Sequence, residues 1–104
     1  MSIPSVDIAQ FAAALRAGAS TVDVREDDEL ATARLDGAVH IALGDIPRRW
    51  SEVPDGTVYV LCARGSRSAR AVQYLRGKGI DAVNVDGGIV AWLEAGLPVE
   101  SDEG

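Results

Sequence analysis

Near the start of the chain, apolar residues recur at helical spacing. Ile8, Phe11, Ala12 and Leu15 fall on one face, the signature of an amphipathic helix. Ser5 is placed to cap it and Asp7 to meet the positive end of its dipole, so the pattern predicts a helix to about Arg16, stopped by Gly18. The period then shortens. Thr21-Val22-Asp23-Val24-Arg25 reads as a strand, Glu26 to about Ala33 as a short acidic helix or turn, and Ala38 to Ala42 as a second short strand. Ile46 to Trp50 fits a helical turn with Pro47 near its start.

Asp55-Gly56 marks a turn. Thr57-Val58-Tyr59-Val60-Leu61 is the clearest strand, a β-branched and aromatic run of the kind buried in a parallel sheet. It ends at Cys62. Beyond a short loop bearing glycine and serine, Ala69, Val72 and Leu75 mark the buried side of a helix closed by Gly77 and Gly79. Ala82 to Val85 is another strand. Gly87-Gly88 leads into a helix with Val90 and Leu93 at i, i+3 spacing, ended by Gly96-Leu97-Pro98. Strands alternating with helices predict an α/β domain, a parallel sheet with helices on both faces. The 104 residues make one domain over 1–104, with about 100–104 expected as a loose acidic tail.

Composition narrows the function. An apolar fraction of 47% suffices for one core. No apolar run approaches membrane-spanning length, and Met1-Ser2-Ile3-Pro4 shows no basic cluster with a following apolar stretch. A cytoplasmic protein without a membrane partner is the expectation. The net charge of −6 argues against nucleic acid as a partner. That charge is unevenly spread, because Cys62 to Lys78 holds Arg64, Arg67, Arg70, Arg76 and Lys78 and no acidic residue. A basic segment that starts at the single cysteine of an acidic chain suggests a local site for a small anion. Arg70, Arg76 and Lys78 read more simply as the solvated face and end of a helix.

With one cysteine, an internal disulfide and a cysteine-only metal cluster within one chain are both ruled out. Glu26-Asp27-Asp28-Glu29 lacks metal-ligand spacing and reads as a solvated first helical turn. No metal and no cofactor are expected. In an α/β sheet, sites gather beyond the carboxyl ends of the strands, where Cys62 is expected. In Cys62-Ala63-Arg64-Gly65-Ser66-Arg67-Ser68, small residues and a glycine let the backbone curl with its N–H groups inward. Such a ring, backed by a helix N-terminus, binds anions and favours a thiolate over a thiol. Arg64 is expected to attract an anionic substrate and Arg67 to brace the loop or touch the bound anion. Ser66 and Ser68 are expected to donate hydrogen bonds or cap the helix. His40 reads as a core or hydrogen-bonded histidine, Trp92 as packing, and Trp50 as lining for a pocket mouth or partner surface.

These pieces together resemble the single-domain rhodaneses over nearly the whole chain. The motifs are Val22-Asp23-Val24-Arg25, Gly37-Ala38-Val39-His40-Ile41, the Cys62 loop with Gly65-x-Arg67-Ser68, Gly87-Gly88-x-x-x-Trp92, and Gly96-x-Pro98. The resemblance implies a sulfurtransferase working through a persulfide on Cys62. The sulfur would come from a small anionic donor such as thiosulfate and pass to cyanide, a thiol or a protein acceptor. It also implies backbone amides of Ala63 to Arg67 as the cradle, with Ala63, Arg64, Gly65, Ser66, Arg67 and Ser68 binding substrate. Asp23 and Arg25 match the family's early strand and read as structural. Four residues separate Cys62 from Arg67, as in sulfurtransferases of this fold; related phosphatases have one more and a wider loop. With no second cysteine, the persulfide must be resolved from outside. The alternatives are a partner-fed persulfide relay and a non-catalytic interaction module. The chain departs from the family at Ala33-Arg34-Leu35-Asp36-Gly37-Ala38, where many members carry Gly-His-Ile-Pro-Gly-Ala, and at Ala42, where proline is common. The difference should register in the conformation of that loop.

Overall fold

The computed structural model describes residues 3–102. Five parallel strands form one sheet in the order β1-β5-β4-β2-β3. They are β1 (Ser5–Val6), β2 (Ser20–Asp23), β3 (Val39–His40), β4 (Val58–Leu61) and β5 (Ala82–Val85). The helices are α1 (Ile8–Arg16), α2 (Asp27–Thr32), α3 (Ile46–Arg49), α4 (Ser66–Gly77) and α5 (Gly88–Glu94). Tight 3-10 turns at Leu43–Asp45 and Trp50–Glu52 flank α3. Among the described residues no helix is long and apolar enough to cross a membrane.

The central strand β4 explains the layering. Successive side chains of a strand point to opposite faces. Val58 and Val60 join Ile46 of α3 and Ala71, Val72 and Leu75 of α4 in one apolar cluster. Tyr59 and Leu61 face the other, built on Phe11 of α1 and Ile89 and Trp92 of α5. Phe11 meets Trp92 edge to face at 5.7 Å and Tyr59 at 5.9 Å. The indole N–H of Trp92 donates to the Pro98 carbonyl at 2.9 Å. The α/β architecture with helices on both faces is therefore as the sequence pattern predicts.

Two local expectations are corrected. Ser5 does not cap α1; it lies in edge strand β1, paired with Asn84. The cap is Asp7, whose side chain accepts from the Gln10 amide at 2.8 Å, while the Gln10 side chain accepts from the Asp7 amide at 2.9 Å. This reciprocal box satisfies two amides that a serine two residues earlier cannot reach. Nor is the tail loose as far as Asp102. Glu100 and Arg34 form an antiparallel bridge, the Asp102 amide donates to the Ala31 carbonyl at 2.9 Å, and the Arg34 guanidinium pairs with the Asp102 carboxylate at 2.9 Å. The Ala33–Ala38 stretch thus supplies, at Arg34, the bridge partner for the tail, and buries Ala33 and Leu35. Residues 103–104 lie outside the described residues.

Candidate active site

β4 delivers Cys62 to the carboxyl end of the sheet, where α4 begins four residues later. The turn depends on Gly65, which precedes α4 with a φ of +114°, a conformation open to glycine and strained for other residues. Its amide donates to the Cys62 sulfur at 3.0 Å. The loop carbonyls point the other way, into the start of α5. Ile89 N donates to Cys62 O at 2.9 Å, Val90 N to Ala63 O at 3.1 Å, and Gly87 N to Arg64 O at 3.1 Å. Three carbonyls satisfied by one helix N-terminus leave the loop amides free to turn inward. This docking requires Gly88. A Cβ there would overlap the carbonyl oxygens of Cys62 and Ala63, and its φ is +57°.

Cys62 is only 1% exposed. Burial pushes its thiol up, but hydrogen bonding outweighs this. The Ser68 hydroxyl and the amides of Ser68, Gly65 and Arg64 together hold the thiol below its ordinary value of 9.0. The Ser68 oxygen lies 3.2 Å from the sulfur and 2.5 Å from Asn84 Oδ1. The Asn84 amide group donates to Gly65 O at 3.1 Å, tying β5 to the same loop.

The predicted site residues divide into three groups. Cys62, Gly65 and Ser68 converge on the sulfur, and Ala63 sits half-buried beside it. Arg64 and Ser66 are exposed; Arg64 has no side-chain partner among the described residues. Neither serine caps α4, because Gly65 occupies the capping position. Arg67 braces the loop: it forms a two-pronged bond to Glu29 of α2 at 2.7 and 2.8 Å. The Arg67 guanidinium beside Glu29 pulls that carboxyl down to about 2.

Arg25 is buried and does not reach the sulfur. It is held by Asp23 at 2.8 Å and by the Ala33 carbonyl at 2.7 Å. His40 Nε2 lies 2.6 Å from the Arg25 carbonyl, a hydrogen-bonded structural role as expected. Trp50 lines a surface groove with Pro54, Gly79 and Ile80 next to the start of β4, at the end of that strand opposite Cys62. Sequence reading missed Glu29, Asn84 and the reason for Gly88. A signal existed for Asn84: one amide in a buried strand must find hydrogen-bond partners.

Fold and loop together define a class, the small α/β domains that present a cysteine at the carboxyl end of a central parallel strand. The chain belongs to the rhodanese-like domain family, whose model matches residues 7–95. A sulfurtransferase of Allochromatium vinosum is 40% identical over 85 residues, covering 80% of this chain and 79% of its own. YtwF of Bacillus subtilis is 43% identical over 72 residues, 68% of this chain and 70% of its own. The crystal structure of a rhodanese-related protein from Thermoplasma volcanium superposes with a TM-score of 0.89 at 33% identity, covering 94% of this chain and 98% of that one.

Proposed function

We propose that this protein is a sulfurtransferase in which Cys62 carries the transferred sulfur as a persulfide. One observation carries the reading: the Cys62 sulfur sits 3.0 Å from the Gly65 amide, in a loop whose carbonyls are all engaged elsewhere. That arrangement favours negative charge on the sulfur and on a second sulfur attached to it. The relatives' family supports the same chemistry. In the first step the Cys62 thiolate attacks the outer sulfur of a donor such as thiosulfate. The new S–S bond forms as the donor's S–S bond breaks, and sulfite leaves with the electron pair. In the second step cyanide or a thiol attacks the outer sulfur, and Cys62 departs as thiolate. Exposed Arg64 draws the anionic donor to the loop, and the acceptor comes from solution or from a partner protein.

The test is the intact mass of the reduced protein before and after thiosulfate. The expected result is a gain of one sulfur atom that cyanide removes and that Cys62→Ser does not show. A gain in Cys62→Ser would sink the assignment of the nucleophile. No gain from thiosulfate in the unmodified protein would sink thiosulfate as donor.

A further inference from the structure

The amides around Cys62 favour its thiolate, yet Asn84, behind Ser68, competes for the one hydroxyl proton that could also serve that thiolate. Asn84 Nδ2 faces two acceptors, Gly65 O at 3.1 Å and Asp86 Oδ1 at 3.4 Å. The amide orientation is therefore settled, because a flip would set Oδ1 against two oxygens. Asn84 Oδ1 then faces Ser68 and can only accept. The Ser68 hydroxyl has one proton, and at 2.5 Å that proton lies on the Asn84 bond. Toward Cys62, 3.2 Å away, Ser68 presents lone pairs and accepts from the S–H. All three residues are nearly or wholly buried.

Ionisation upsets this order. A thiolate facing the Ser68 lone pairs is repelled unless the hydroxyl rotates to donate to it. Rotation in turn leaves a buried Asn84 oxygen without a donor. We propose that Asn84 is a positioning residue that acts through Ser68 to hold Cys62 as the thiol, raising the pH at which the nucleophile forms. This rests on Cys62 being the sulfur-carrying nucleophile. It also gives the pair a role in the cycle. The inner sulfur of a persulfide is uncharged, so the Ser68 proton stays on Asn84; it turns to Cys62 only when the thiolate is the leaving group.

Other charges near the site are already accounted for. Arg67 of α4 is paired with Glu29 of α2, Asp23 and Arg25 of β2 pair with each other, Asp86 follows β5, and Arg64 faces solvent.

The test titrates the reduced protein by its rate of alkylation with iodoacetamide, with no sulfur donor present. Its result is thus independent of whether the protein transfers sulfur. Asn84→Val should lower the midpoint by roughly 0.5 to 1 pH unit, the size of one neutral hydrogen bond. In a Ser68→Ala background the same substitution should leave the midpoint where Ser68→Ala puts it. A midpoint unmoved or raised by Asn84→Val, or an equal fall in both backgrounds, overturns the proposal. A second measurement needs no change at Asn84. Below the midpoint, the infrared S–H stretch of the wild-type protein should lie at lower frequency than in Ser68→Ala. Equal frequencies overturn the proposal as well.

Discussion

A thiol that is 1% exposed usually serves as a small apolar filler. Cys62 is distinguished by the backbone amides that donate to its sulfur, and by a loop arginine with no counter-charge among the described residues. Arg64→Ala is expected to raise the thiosulfate KM several-fold and to leave the unfolding midpoint unchanged, since the side chain is exposed and has no partner among the described residues. Steady-state kinetics across thiosulfate concentrations, with a thermal melt alongside, checks both halves. Residues of the site that lie next to one another in the chain were legible: cysteine, glycine, serine and arginine within seven positions define one loop. Glu29 was read as one solvated acid among four because its partner, Arg67, lies 38 residues away. Asn84 was passed over because its partner Ser68 lies 16 residues away. Side-chain pairs of this kind form only when the sheet is assembled, and no local pattern announces them.

At the scale of elements, the buried middle of the sheet was readable and its borders were not. The run through Val58 and Val60 announces a strand covered on both faces. β1 has two residues, too few for any period to show, and it was absorbed into the helix that follows. The Gly87-Gly88 pair was read as a turn, which is right but incomplete. Its larger role is to let α5 press its amides onto the cysteine loop. Gly88→Ala is expected to destabilise the protein by at least about 2 kcal/mol, because backbone oxygens cannot yield to a methyl group as a flexible side chain would. Urea unfolding measures the loss. Gly44→Ala, where a Cβ would meet nothing, is the matched control. Equal stability of the two variants would show that the α5 junction is not tight.

Across the whole molecule, the Glu29–Arg67 pair links α2 to the start of α4 and so couples the acidic early helix to the cysteine loop. The folded Glu29 carboxyl is lowered to about 2 from 4.5. Its contribution is therefore complete above about pH 4.5 and fades as pH falls through about 2. Both side chains are about a third exposed, so solvent screening limits the pair to about 1 kcal/mol. Glu29→Gln should lower stability by that amount at pH 7, and the difference from wild type should vanish near pH 2. Chemical denaturation at the two pH values checks the sign. A difference that persists at pH 2 would mean that Glu29 acts by packing.

The sheet has two borders, and each is a strand of only two residues, β1 and β3. A longer, flat border offers a row of unsatisfied peptide groups on which a neighbouring chain can align and extend the ladder. Here so few remain that a second molecule gains almost nothing by adding its own strand. The domain can therefore be concentrated, or crowded against copies of itself, with little tendency to seed fibrils from its own rim.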